Sequence, residues 1–265
     1  MPELAEVVRV AAADGVRVLL VARERRVDNL VVCFYRTTNP ATNFSGYEGT
    51  ERRCTKAEVP TAALAMLGGE SGAAVDSTTE LIVCTHGRRD ICCGSLGMSL
   101  YQSAADAAPP GVRVWRSSHQ GGHRYAATAL VLPEGTAWAH LDLDSAMAIV
   151  RRTRSVLELI AHYRGCVGID EPRVQALEAI AFAEIGWPWL AHARRGSVGA
   201  ASLVQLDGVS ATSEALRWLG VVRSIERLGP ACGEPLGDAS ERYDEWVVQS
   251  YRRCRANPGM TGATT

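Results

Sequence analysis

The sequence predicts an α/β protein in which a mixed sheet is flanked by helices. Segments rich in β-branched and aromatic residues alternate with amphipathic segments along the chain of 265 residues. Between residues 79 and 163 these segments follow the order β–α–β–β–α. Hydrophobic residues make up 47% of the chain, a share sufficient for a substantial core. We divide the chain into an N-terminal α/β segment (1–75), a central domain (76–165) and a C-terminal extension of helices and strands (166–265).

Overall charge and hydropathy limit the classes of partner and the location. The 28 basic and 29 acidic residues give a net charge of −1, so no general attraction to nucleic acid or to an anionic membrane is expected. No apolar run approaches the ~20 residues that span a bilayer. The first residues, MPELAEVVRV, lack the basic segment that opens a signal peptide. We therefore expect a cytoplasmic protein that binds neither nucleic acid nor membrane.

The N-terminal segment is predicted to contain two helices and two strands. Residues 3–13 have an apolar face typical of a short helix, and residues 60–69 form a helix closed by glycine. The segments 16–22 and 30–36 have the composition of strands. The turn-forming residues of 37–54 favour an irregular loop.

The central domain is predicted to alternate strands with helices. The segments are strand 79–87, helix 94–107, strands 112–118, 124–133 and 136–142, and helix 145–163. Asp144 or Ser145 would cap the last helix, and Glu134-Gly135 would close a hairpin between the last two strands. The loops after the first and second strands can leave the same end of a sheet, so residues far apart in sequence would converge there.

The C-terminal extension is predicted to open with a helix over 171–186, with Pro172 in its first turn. Residues 199–208 and 214–229 have the composition of strands, with a helix as the alternative for the second. Residues 239–255 are predicted to form a terminal helix.

Cysteine and histidine residues are concentrated in the loops of the central domain. Cys84 and Cys93 lie nine positions apart, and His119 and His123 flank a pair of glycines. Two thiolates and two imidazoles suit a transition metal or an iron–sulfur cluster. We therefore predict that these four residues bind a [2Fe–2S] cluster. Cys92 is an alternative to Cys93 for the second thiolate position.

The spacing of these residues favours a cluster over a zinc finger. The histidine spacing fits a finger, but the two cysteines are separated by eight residues, against the usual two to four. A centre with two irons can use so wide a cysteine loop. Gly121 and Gly122 permit positive φ angles and a close approach of the backbone to a bulky ligand. His86 is an alternative ligand or a proton donor near the cluster.

Two segments of the sequence resemble the motifs of a known family. They are CTHGRRDICCG (84–94) and SSHQGGHRYAATALVLPEG (117–135), and they resemble the sucrase/ferredoxin-like family, which includes a fungal branch of actin-patch-distribution proteins. The sequence YRG at 163–165 is also similar to the family, as are Gln175 and Glu178. The resemblance is strong over residues 78–180.

The resemblance implies a thioredoxin-like ferredoxin fold for residues 76–165. It also implies a [2Fe–2S] cluster held by Cys84, the second of the adjacent cysteines (Cys93), His119 and His123. In thioredoxin-like ferredoxins four cysteines hold the cluster, so the histidines would replace the second cysteine pair. The doublet Cys92-Cys93 leaves the choice between these two residues open.

Three functions are compatible with this ligand set. The first is electron transfer with a redox partner protein, coupled to proton release from a histidine ligand. The second is a cluster-dependent redox enzyme that acts on a small molecule or on a thiol or disulfide, for which no catalytic residue can be assigned. The third is a zinc-stabilised interaction module. Arginines near the loops are candidates for tuning the cluster charge or docking an acidic partner, and a homodimer is a further alternative. These arginines are Arg88, Arg89, Arg116 and Arg124.

Overall fold

Three sheets and six α-helices make up the described part of this computed structural model. The structure describes residues 2–22, 30–37, 43–75, 79–88, 91–231, 234 and 240–256. In chain order the strands are β1 (Val21–Ala22), β2 (Leu30–Thr37), β3 (Tyr47–Cys54), β4 (Ala73–Ala74), β5 (Thr79–Cys84), β6 (Val112–Ser117), β7 (Ala129–Leu132), β8 (Thr136–Trp138), β9 (Tyr163–Cys166), β10 (Ala193–Val198), β11 (Leu203–Val209), β12 (Ala215–Gly229) and β13 (Glu241–Arg255). The helices are α1 (Pro2–Ala13), α2 (Val59–Leu67), α3 (Met98–Ala107), α4 (Leu143–Arg151), α5 (Val156–Leu159) and α6 (Pro172–Ile185).

The central sheet is mixed, with strand order β1-β6-β5-β7-β8-β9, and helices flank it. This architecture confirms the predicted α/β class and is consistent with a thioredoxin-like core. Strands β5 and β6 are parallel, with Cys84 opposite Ser117 at their carboxyl ends. The loops that follow the two strands therefore leave the same edge of the sheet, as the sequence predicts. Every side chain of β5 from Glu80 to Cys84 is buried, since this strand lies at the centre of the sheet.

A buried ion-pair cluster attaches the N-terminal sheet, β2-β3-β4, to the central sheet. Arg113 on β6 donates from Nε to Glu80 on β5 and from Nη1 to Glu51 on β3, each over 2.8 Å. Both carboxylates are almost fully buried. A buried charge is tolerated only when it is paired and hydrogen-bonded, so this arrangement fixes the two sheets relative to one another.

The C-terminal extension is a four-stranded antiparallel sheet, β10-β11-β12-β13, packed on α6. Glu178 of α6 and Arg194 of β10 form an ion pair over 3.1 Å, and both side chains are fully buried. Tyr163 of β9 and Trp189 also donate to the Glu178 carboxylate, each over 2.8 Å. Tyr163 of the YRG motif and Glu178 thus join the central sheet to the C-terminal sheet. The division of the chain into three regions stays a prediction.

Several sequence predictions of local structure are wrong. Residues 47–54, predicted as loop, form β3, because they pair with β2 along their whole length. The predicted terminal helix over 239–255 is instead β13, which pairs with β12 over nearly its full length. Val, Trp and Tyr residues in this segment favour a strand, and most of its charged residues are exposed, as is usual for an edge strand.

The predicted helix over 145–163 is also wrong in extent. Its first turn is capped by Asp142, whose carboxylate accepts from the backbone N–H of Ser145, so the cap lies upstream of the predicted one. The helix ends where Arg152 takes the left-handed conformation, with φ of 52°. Ser155 and Glu158 then form a capping box that starts α5. The predicted strand over 124–133 is shorter in the structure and corresponds to β7. The predicted strand over 16–22 is likewise shorter and corresponds to β1.

The other predicted elements are confirmed within one to four residues at their ends. They are the helices at 3–13, 60–69, 94–107 and 171–186 and the strands at 30–36, 79–87, 112–118, 136–142, 199–208 and 214–229, the last as a strand and not a helix. The predicted hairpin through Glu134-Gly135 joins β7 to β8. No helix in the described ranges has the length and apolar character needed to cross a membrane.

Candidate metal centre

Cys84 and Cys93 lie together at the carboxyl edge of the central sheet. Cys84 is the last residue of β5, and Cys93 begins a π-helical turn that leads into α3. Both side chains are fully buried, and with Ala126 they form a small cluster separate from the main core. Cys92 is only partly buried and packs against the outside of this cluster. The structure therefore brings together the cysteine pair that the sequence predicts.

Glycines allow the two cysteine-bearing loops to touch through their backbones. A Cβ atom on Gly97 would lie 2.0 Å from the carbonyl oxygen of Cys84. A Cβ atom on Gly94 would lie 2.5 Å from the Cα of Gly87. Neither position has room for a side chain, so the approach of Cys93 to Cys84 depends on glycine at these positions.

The environment of Cys84 favours the thiolate. A hydrogen bond from Cys93 lowers the pKa of Cys84 most, and burial opposes it. Backbone N–H groups of His86 and Gln120 and the charge of His119 lower it further, to about 5. Cys84 is thus ionised at neutral pH, and the thiolate is the form of cysteine that binds metals.

The metal-free protein is expected to show a thiolate titration with a midpoint near pH 5. The thiolate absorbance in the ultraviolet should be present above that pH and lost below it, because protonation removes the charge of Cys84. Cys84→Ala should abolish this step. Cys166→Ala should retain it, since burial raises the pKa of Cys166 to about 12. A wild-type protein whose first thiolate step falls near the ordinary cysteine pKa of ~8.5 would contradict this account.

The histidine-bearing segment forms a loop, as its glycine pair predicts. Gly121 and Gly122 have φ angles of 103° and 73°, in the region that favours glycine. The side chain of Gln120 donates over 2.8 Å to the carbonyl oxygen of Ile82 and to the hydroxyl of Ser117. These bonds fix the His119 end of the loop against the ends of β5 and β6.

The structure places His119 beside the cysteines and also brings His86 there. The rings of His86 and His119 are 6.3 Å apart between centroids, and the backbone N–H of His86 points to the Cys84 sulfur. The Nδ1 atom of His86 is buried and has no hydrogen-bond partner among the described residues. From the sequence, His86 is only an alternative ligand or proton donor, and the structure places it next to Cys84 and His119.

The complete set of four ligands stays a prediction. His123 begins a short 3-10 turn, His123–Tyr125, but its side chain lies outside the described part of the structure. Arg89 is also outside it. Within the part of the chain that is described, no group of three or more His, Cys, Asp or Glu side chains is arranged to hold a metal ion.

Two features near the site have no counterpart in the sequence predictions. Gln120 lies inside the motif, but its role as an anchor requires knowledge of which backbone atoms lie nearby. Arg124, next to His123, contacts Glu241 and Tyr243 of β13. The sequence predicts a helix around Glu241, and a helix there does not place Glu241 beside the histidine loop.

Comparison with known proteins identifies the family. Neither the curated proteins nor the solved structures yield a match. The family model described as sucrase/ferredoxin-like matches residues 7–165, which include both cysteines and both histidines of the predicted set. This match extends over more than half of the chain, and the chain therefore belongs to the sucrase/ferredoxin-like family.

Proposed function

We propose that this protein binds a [2Fe–2S] cluster through Cys84, Cys93, His119 and His123 and transfers electrons to or from a partner protein. The observation that carries the proposal is the pair of fully buried cysteines, Cys84 and Cys93, with the Cys93 thiol and two backbone N–H groups directed at the Cys84 sulfur. A buried charge is costly unless it is paired or coordinates a metal. A metal ion bound to this sulfur would add to the compensation that the hydrogen bonds from Cys93, His86 and Gln120 already supply.

The residues around Cys84 suit such a centre. Two backbone N–H groups, of His86 and Gln120, already point to the Cys84 sulfur, and hydrogen bonds to sulfur are a recurrent feature of iron–sulfur sites. The buried Nδ1 atom of His86 is available for a further interaction. Sulfur and imidazole donors together match the ligand preference of iron–sulfur centres with mixed ligation.

The cysteines and the histidine loop would supply different ligands to the cluster. Cys84 and Cys93 offer two thiolates from rigid elements, the end of a central strand and the start of a helix. The histidine loop offers imidazole nitrogens from a segment whose backbone is shaped by two glycines. When bound, the cluster supplies one-electron redox chemistry. A histidine that binds through one ring nitrogen keeps a proton on the other, and release of that proton on oxidation would couple electron transfer to pH.

Analysis of iron, sulfide and zinc in protein purified without oxygen tests the proposal. We expect iron and sulfide in equal amounts and an electron paramagnetic resonance signal after reduction by dithionite. Cys84→Ser should lose both, and Cys254→Ser, which changes an exposed cysteine far along the chain, should keep both. Purification with zinc in place of iron, or with neither, would refute the cluster.

A further inference from the structure

The C-terminal hairpin reaches the loop that bears the predicted histidine ligands. Arg124 follows His123 directly, and its Nη2 atom lies 3.2 Å from Oε2 of Glu241 at the start of β13. The same guanidinium lies 4.3 Å from the centre of the Tyr243 ring. The Arg124 side chain is only 17% exposed, which strengthens its cation–π contact, whereas the Glu241 side chain is 42% exposed, so water screens the ion pair in part.

Tyr125 extends this contact into the central domain. Its ring packs edge-on against Tyr243, with centroids 6.2 Å apart, and edge-on against His140 at 5.8 Å. The guanidinium of Arg164 lies 3.3 Å from the centre of the Tyr125 ring. The residues after His123 are therefore held between the hairpin on one side and the end of the central sheet on the other.

The loop needs an anchor at this end. Gly121 and Gly122 give its middle a wide conformational range. Apart from its chain neighbours, no described atom lies within 4 Å of where a Cβ on Gly121 would be. The His119 end is fixed by Gln120, whose side chain bonds to the strand ends. Among the described residues, the side-chain contacts of the His123 end are those made by Arg124 and Tyr125.

The hairpin is itself a rigid support. Strands β12 and β13 are each 15 residues long, pair along nearly their whole length and pack against α6. Cross-strand ion pairs, Arg227 with Glu245 and Arg242 with Glu226, connect them near the end that reaches the loop. This hairpin lies outside residues 7–165, the range that matches the family model.

We propose that the C-terminal hairpin is a clasp for the histidine loop. Glu241 and Tyr243 act as positioning residues, because they hold Arg124 and Tyr125 and thereby fix the backbone at His123. The expected consequence of the clasp, slower loss of the cluster, rests on the proposed function. The contact between the hairpin and the loop does not, because the metal-free protein has it as well. It assigns a role to a part of the chain that a ferredoxin core alone would not need.

Hydrogen–deuterium exchange of the full chain tests the contact, without and with the metal. We expect Tyr243→Ala, which removes the cation–π contact, to raise the exchange rate of amides 119–125 severalfold. The double variant with Glu241→Gln also removes the ion pair and should raise this rate roughly tenfold. Tyr243→Phe keeps the aromatic ring and should behave as wild type. Glu245→Gln removes a cross-strand ion pair from the same hairpin and should leave these amides unchanged.

The rate of cluster loss to an iron chelator gives the second readout. Tyr243→Ala should lose the cluster faster than wild type by a similar factor, and Tyr243→Phe and Glu245→Gln should not. Unchanged loop exchange in Tyr243→Ala, or an equal rise in Glu245→Gln, would overturn the clasp. Faster loop exchange with unchanged cluster retention would overturn its positioning role. If wild type binds no cluster, the proposed function fails, and the exchange comparison still decides whether the clasp exists.

Discussion

Cys93→Ser is expected to abolish cluster binding, and Cys92→Ser is expected to leave it intact. The two residues are adjacent in sequence, but Cys93 is fully buried and hydrogen-bonded to Cys84, whereas Cys92 is only partly buried. Serine is a much weaker ligand for iron because its hydroxyl is not ionised at neutral pH. For the proposed cluster, we therefore expect the second residue of the doublet to be the ligand, as the family resemblance also implies.

Iron and sulfide content, together with visible absorption, distinguishes the two variants. The free energy of unfolding of each metal-free variant serves as the control, because serine replaces sulfur with little change in volume. Loss of the cluster in Cys92→Ser with retention in Cys93→Ser would reverse the assignment. Retention in both variants would mean that either cysteine can serve, and that the burial difference does not select the ligand.

The cysteine half of the site could be predicted from the sequence because its determinants are local. An apolar segment ending in Cys84, a helix starting near Cys93 and a second parallel strand are enough to place both loops at one edge of the sheet. The close backbone contact between the two cysteine-bearing loops requires Gly87, Gly94 and Gly97. The sequence shows these glycines but not which backbone segments lie against each other. The histidine loop was predicted on similar grounds, from its two glycines.

The surroundings of the site could not be predicted, because they depend on contacts distant in sequence. Gln120 bonds to Ile82 on β5, and Glu241 meets Arg124 across more than one hundred residues. The strand β13 was mistaken for a helix, since its charged residues resemble an amphipathic helix when its partner β12 is not considered. An edge strand of a long hairpin can be polar along most of its length, which weakens the period of two that identifies strands.

Glu178→Leu is expected to lower the free energy of unfolding by about 3–5 kcal/mol, because it leaves Arg194 charged, fully buried and without a counterion. Tyr163 and Trp189 also lose the carboxylate to which they donate. These four side chains join the central sheet to the C-terminal sheet that supports the hairpin. Urea unfolding of the metal-free protein measures the effect, provided that the slope of the transition is unchanged.

Two further variants separate the loss of the ion pair from a general effect of removing a carboxylate. Glu226→Gln removes an exposed cross-strand ion pair with Arg242 and should cost roughly 0–1 kcal/mol. Glu178→Leu combined with Arg194→Met should recover most of the loss, because apolar side chains of similar volume need no compensating charge. If the double variant is as unstable as Glu178→Leu alone, the cost comes from the lost hydrogen bonds of Tyr163 and Trp189, not from the unpaired charge of Arg194.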